Sequence, residues 1–169
     1  GRVLGVDFCE PMLHLGQSKV SARRLRPRVL LAAGDAQRLP IPNACVDASL
    51  SAFVLRNVAD VQQALDEMAR TTRPGGVVVI LELGRPQWAP LRRLYETYFH
   101  RLLPAVAALL SRKDAYIYLP NSVARFQSPE ELAAMMRRAG LEEVSFRLLM
   151  GGIATLHVGR KPAGLLRAG

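Results

Sequence analysis

An α/β fold, with a mostly parallel sheet closed by an antiparallel C-terminal strand, is predicted by three features of the sequence. Short apolar segments alternate with segments of helical period, so the early strands are joined by crossovers, with helices on both sides of the sheet. The first two strand candidates are each followed by an acid, Asp7 and Asp35. The last two are separated only by Gly151-Gly152, the spacing of a tight hairpin.

Taken in order, Arg2-Val3-Leu4-Gly5-Val6-Asp7 is an apolar run ending on an acid, which suits a buried parallel strand. From Pro11 to Leu25, the residues Met12, Leu15, Lys19 and Ala22 fall on nearby faces of a helix that Pro27 ends. Arg28 to Ala33 reads as a second strand, stopped by Gly34-Asp35, and Pro40, Pro42 and Asn43 punctuate a loop. Val46 to Phe53 alternates as a third strand. Asp60 is placed to cap a helix in which Val61, Ala64, Leu65, Met68 and Thr72 follow helical spacing.

Arg73-Pro74-Gly75-Gly76 should close that helix, because glycine permits a left-handed turn and proline cannot continue a helix. Val77 to Leu83 is β-branched and expected to be buried on both faces. Between Trp88 and Leu110 the residues Leu91, Leu94, Tyr95, Tyr98 and Leu102 make a broad apolar face, which Pro104 kinks or divides. Ser128-Pro129-Glu130-Glu131 combines a capping serine, proline at the first helical position and glutamate three after the cap. The helix it starts runs to Gly140 with Leu132, Met135, Met136 and Ala139 inward. Strands near 144–150 and 153–159 follow.

With 169 residues, 50% of them apolar, the chain is read as one domain, 1–169, large enough for a three-layer core. Its longest apolar run, Leu102 to Leu110, is about half of what a membrane span needs. No charged-then-apolar leader is seen, and a reduced cytoplasmic setting is the expectation. Cys9 and Cys45 form no metal-type pair, so no metal centre is expected. The net charge of +9 comes almost wholly from arginine, in scattered doublets such as Arg23-Arg24, Arg92-Arg93 and Arg137-Arg138. Nucleic acid, an anionic membrane surface and plain arginine-rich coding bias all stay open on charge alone.

Chemistry gathers at the strand ends. A carboxylate at the carboxyl end of a parallel strand lies where open α/β sheets bind ligands, and Asp7 there can accept hydrogen bonds from both ribose hydroxyls of a nucleoside. Capping the next helix is its plainer use. Asp35-Ala36, after the next strand, could set a carboxylate or an amide beside an adenine. Two acids after two successive strands favour an adenosine ligand. Glu82 ends a buried strand, and suits either the site or a structural hydrogen bond. His14, His100 and His157 read as packing or surface residues rather than bases.

The order of Gly5-Val6-Asp7, Met12-Leu13, Gly34-Asp35-Ala36 with Leu39-Pro40, and Leu55-Arg56-Asn57-Val58 resembles the ubiquinone/menaquinone biosynthesis C-methyltransferases. So do Arg73-Pro74-Gly75-Gly76 with Leu81-Glu82, Tyr116-Ile117-Tyr118-Leu119 and Ala154-Thr155-Leu156-His157, and the likeness runs from Arg2 to about Pro162. The Pro-Gly-Gly turn and first aspartate are common to class I methyltransferases; the Leu-Arg-Asn-Val and Tyr-x-Tyr-Leu-Pro-x-Ser stretches point to the quinone branch. The resemblance implies a Rossmann-like class I methyltransferase sheet and S-adenosylmethionine as cofactor. It also implies a lipophilic polyprenyl quinol as substrate, either demethylmenaquinol or the ubiquinone precursor.

On that resemblance Asp7 binds ribose, Asp35 and Ala36 the adenine side, and Ala52 stands near the cofactor where relatives tend to carry serine. Arg56, Asn57 and Tyr116 are candidate catalytic residues, Arg56 by favouring a phenolate or orienting a water. Tyr118 is a candidate substrate residue. Both tyrosines also read as helix-to-sheet packing. The segment 86–127 becomes a helical insertion covering the substrate, and its apolar face with Arg92-Arg93 suggests peripheral contact with the inner face of a membrane.

Nucleic acid is not expected as a partner. Base-amine enzymes place Asn/Asp-Pro-Pro-aromatic where Arg56-Asn57 stands, and cytosine-carbon enzymes need Pro-Cys, whereas Cys45 follows Ala44. The family opens with a further strand and a Gly-x-Gly loop, and this sequence starts just before the second strand. The expectation is an N-terminally truncated domain in which two strands lose a shared neighbour. Either the chain is a fragment, or a homodimer or another polypeptide supplies the strand, or rearranged strands close the gap, and the chain alone would bind cofactor very weakly. Methylation of another small aromatic or lipid-like molecule, or a chain without activity of its own, are the alternatives.

Overall fold

The computed structural model describes residues 1–84 and 126–164, with Pro86, Pro90, Arg93 and Thr97. The expected insertion over 86–127 therefore falls almost wholly outside the described residues. So do Tyr116 and Tyr118.

The chain begins with a β–α–β unit: β1 (Val3–Asp7), α1 (Glu10–Ala22) and β2 (Val29–Ala33). β1 and β2 pair in parallel from Val3 with Val29 to Asp7 with Ala33. Next come β3 (Val46–Ala52), a 3-10 turn at Leu55–Asn57, α2 (Val61–Thr71) and β4 (Thr72–Leu83). The C-terminal part holds α3 (Pro129–Arg138), β5 (Glu142–Leu149) and β6 (Ala154–Arg160). β3 and β4 are parallel, while β6 runs antiparallel between β4 and β5. The antiparallel C-terminal strand expected from Gly151-Gly152 is thus present, its corner made by Met150–Gly152 with left-handed backbone at all three residues.

Among the described residues the strands form two sheets, β1-β2 and β3-β4-β6-β5, and β1 makes no ladder with β3. The loop between β2 and β3 ties the two together through side chains. Leu39 donates its backbone N–H to Glu67 Oε2 at 2.7 Å. Arg70 donates to the carbonyls of Leu39 and Ile41 and to Asn43 Oδ1. The hydrogen bond from Arg70, opposed in part by burial, also holds the Glu67 carboxyl below its usual range.

The core lies between α2, α3 and one face of the four-stranded sheet: Leu55, Ala64, Leu65, Met68, Val78, Ile80, Leu132, Met136 and Leu141 are all buried there. Of the residues expected inward on α3, Leu132 and Met136 are buried, and Met135 and Ala139 pack partly against this core. β4 departs from expectation. It is not buried on both faces: Val78, Ile80 and Glu82 are buried while Val77, Val79, Leu81 and Leu83 are only partly covered. Among the described residues one layer of helices covers one face, and the β-branched run suggests two. The Pro-Gly-Gly segment also belongs to β4, with Gly75 at φ +75° bonded through its N–H to the Lys161 carbonyl at 3.0 Å.

Both long-range helices start as their caps dictate. Asp60 accepts from Gln63 N at 3.0 Å. Ser128 Oγ accepts from Glu131 N at 3.2 Å while the Glu131 carboxylate takes the Ser128 N–H at 2.8 Å, a complete capping box.

Candidate active site

The carboxyl ends of the parallel strands carry the polar groups singled out from sequence. Asp7 closes β1 and is exposed. Its Oδ1 accepts the Cys9 N–H at 2.9 Å, a turn that leads into α1, and no described residue bonds Oδ2. Because β1 and β2 pair in register at Asp7 and Ala33, the segment Gly34-Asp35-Ala36 emerges beside Asp7. Gly34 is required there, since a Cβ would stand 2.6 Å from Pro40 Cδ and 2.9 Å from Val6 Cγ1. Asp35 is exposed, and its Oδ1 takes the Gln37 N–H at 2.9 Å. Ala36 is half-buried against the core, and Ala52 is exposed at the end of β3.

Just past β3 the chain turns inward. Leu55 is buried, and its N–H donates to Glu82 Oε1 at 2.8 Å. Arg56 Nη1 donates to Glu82 Oε2 at 2.8 Å in an ion pair whose side chains are 10% and 2% exposed. The Arg56 guanidinium also lies 5.6 Å from the Phe53 ring centre. Its Nε is buried without a hydrogen-bond partner among the described residues. Glu82 faces Thr155 across the β4–β6 ladder, and Thr155 Oγ1 is likewise buried and unpartnered.

His157, two residues further along the same face of β6, is buried rather than at a surface. One ring nitrogen, Nε2, stands 2.9 Å from the Pro129 carbonyl. A carbonyl can only accept, so Nε2 carries the hydrogen and Nδ1 is the bare nitrogen. Burial pushes this imidazole below the usual histidine range, only partly offset by the Pro129 carbonyl and by Glu130. That makes it a packing residue of the α3–sheet contact, in line with the sequence reading.

Of the residues expected in the site, the structure sets Asp7 and Asp35 at neighbouring strand ends, and Arg56 with Asn57 in the turn after β3. It brings Arg56 together with Glu82, a pairing absent from the sequence reading. The available signal was an acid at the end of an otherwise apolar strand and an arginine after the neighbouring one: inside a core each needs the other. The latch of Arg70 on Glu67 also went unread, although its i, i+3 spacing on a helix was visible.

No described helix is long and apolar enough to cross a membrane.

A family model described as the ubiE/COQ5 methyltransferase family matches residues 1–161. The chain is 40% identical over 159 residues to the ubiquinone/menaquinone biosynthesis C-methyltransferase UbiE of Geobacter sulfurreducens, covering 94% of this chain and 62% of that protein. It is 44% identical over 161 residues to the demethylmenaquinone methyltransferase of Thermus thermophilus, covering 95% and 72% respectively. It spans, in other words, roughly two thirds of the length of these relatives. Among solved structures, a SAM-dependent methyltransferase from Thermotoga maritima superposes with a TM-score of 0.61 at 23% identity, covering 94% of this chain and 72% of that one. That likeness shows a class I methyltransferase fold. Motif order, strand topology and family match agree, and the chain belongs to the ubiE/COQ5 methyltransferase family.

Proposed function

We propose that this chain serves S-adenosylmethionine-dependent C-methylation of a polyprenyl quinol, demethylmenaquinol or the ubiquinone precursor. The observation that carries the reading is Arg56, a desolvated guanidinium just past β3 with a buried and unused Nε. A ring carbon becomes nucleophilic when its quinol oxygen gains negative charge, and a fixed cation in a water-poor site is what stabilises that charge. The names of the relatives, demethylmenaquinone methyltransferase and UbiE, support the same substrate class.

The described residues fit half of a cofactor site. Asp7 would hold the ribose hydroxyls through its unbonded Oδ2, Asp35 and Ala36 would flank the adenine, and Ala52 would line the near wall. S-adenosylmethionine, when bound, supplies an electrophilic methyl group to the ring carbon, its sulfur leaves as the thioether S-adenosylhomocysteine, and the ring carbon's proton is lost to a base to restore aromaticity. Arg56 would hold the ring oxygen and Asn57 would orient the ring beside it, with Tyr116 and Tyr118 contributing from the insertion. Alignment of this kind supplies much of the rate of a displacement.

The edges of β1 and β3, unpaired among the described residues, would accept one more parallel strand, from a second copy or another polypeptide segment. We place the enzyme in the cytoplasm, in peripheral contact with the inner face of the membrane that holds its lipophilic substrate.

The test is transfer of label from methyl-labelled S-adenosylmethionine to a chemically reduced demethylnaphthoquinone by the full translated chain. Labelled menaquinol-type product is expected, and loss of it in Arg56→Ala. Label appearing only on other small aromatics would overturn the quinol reading.

A further inference from the structure

Glu82 stands one residue before the end of β4. Its carboxylate is 2% exposed, and a charge that deep persists only with partners. Both oxygens are committed, and both to the same short turn: Oε1 to the Leu55 N–H and Oε2 to Arg56 Nη1, each at 2.8 Å. One side chain therefore fixes the backbone from which Arg56 departs and one edge of its guanidinium.

Thr155 stands directly across the ladder from Glu82, yet its Oγ1 makes no hydrogen bond and leaves the carboxylate wholly to the turn. A guanidinium has five N–H donors in a rigid plane, so pinning Nη1 and the main chain orients Nε as well. Nε is then a buried donor with no acceptor among the described residues. A buried orphan donor is costly in a finished core, and is expected where a ligand will complete it.

We propose that Glu82 is a positioning residue that holds Arg56 so that its Nε–H is offered to an oxygen of the aromatic substrate. This rests on the quinol reading above. Glu82 touches neither substrate nor cofactor. It keeps the guanidinium in place and aimed, and its effect on turnover passes through Arg56 alone.

A double-mutant cycle on the full translated chain tests this, with Glu82→Gln, Arg56→Gln and both together assayed for methyl transfer to the reduced demethylnaphthoquinone. Misplacing a group in this way can cost on the order of 100-fold, so Glu82→Gln should lower kcat by about that factor. KM for S-adenosylmethionine should stay unchanged. In the Arg56→Gln background the second substitution should add nothing, because residues acting as a unit are non-additive. A purely structural Glu82 would give losses that multiply, and that result overturns the proposal, as does a fully active Glu82→Gln.

Should Glu82→Gln not fold, the same cycle is run with Glu82→Asp, which keeps the charge and withdraws it by one methylene. There the same non-additive loss supports the proposal and an additive one overturns it. A wild-type chain that methylates no quinol removes the parent reading and this inference with it. An active wild type with additive losses removes this inference alone.

Discussion

Residues 1–45 and the described part of Val46 to Arg160 are built from the same kinds of element, yet only the second has a core. No residue before Leu55 is buried. β1, α1 and β2 leave Val3, Leu4, Phe8, Met12, Leu15 and Leu30 exposed by between 40% and 83%. Across α2, α3 and β4, in contrast, Ala64, Leu65, Ile80 and Met136 are at 0%. Apolar pattern decides which face of an element would be buried, but burial itself requires a second layer. α2 and α3 supply that layer for β3, β4 and β6, and α1, which has no buried residue, does not supply it for β1 and β2. The first region meets the second through polar latches from Gln37, Leu39 and Ile41 and through the half-buried Ala36.

The sharpest test of that contrast is a truncation in the core. Leu65→Ala, at a site with 0% exposure between α2 and the sheet, should cost about 2–5 kcal/mol of unfolding free energy in urea melts. A loss under about 1 kcal/mol, far short of that range, would mean that the core is as loose as the first region.

A second test uses acid. His157 is buried and held below the usual histidine range, chiefly by desolvation. The unfolded chain takes up its proton near pH 6.5 while the folded site stays neutral, so the unfolded state binds more protons and stability falls as pH drops through that value. Glu67, lowered chiefly by its hydrogen bond from Arg70, loses its contribution only further down, as pH falls through the carboxylate range. Urea midpoints should therefore decline between pH 8 and pH 5.5, and His157→Gln should flatten the decline. An unchanged slope in that variant would place the acid sensitivity elsewhere.

These two tests address what was least legible in the sequence. Element order was readable because it is local: helical spacing in Val61–Thr71, the cap at Asp60 and the box at Ser128 all act within a turn of chain. The acids Asp7 and Asp35 were readable for the same reason, since each ends or follows its own strand. The Glu82–Arg56 pair joins residues 26 positions apart, and no local pattern fixes which acid meets which arginine. Burial of β4 on one face was also out of reach. Val77-Val78-Val79-Ile80 reads the same whether one layer or two covers it.

The capping box offers a smaller effect, confined to the second region. Ser128→Ala removes an acceptor for Glu131 N and should cost about 1 kcal/mol, measured by urea titration. The Glu131 carboxyl, held below its usual range by the Ser128 backbone and side chain, should then titrate closer to that range by NMR.

The smallest effect is expected where the contrast is easiest to break. Leu30 lies in β2 with 58% of its surface exposed, so truncating it removes little buried area and leaves no cavity. Leu30→Ala should change stability by no more than about 0.5 kcal/mol, against the several lost at Leu65 by the same chemical change. Both are leucine-to-alanine substitutions, so unfolded-state terms largely cancel between them. A Leu30→Ala loss equal to that of Leu65→Ala would show that something packs on β2 in solution, a second copy or a further segment. Repeating the melts across protein concentration separates those two, because only association makes the midpoint rise with concentration.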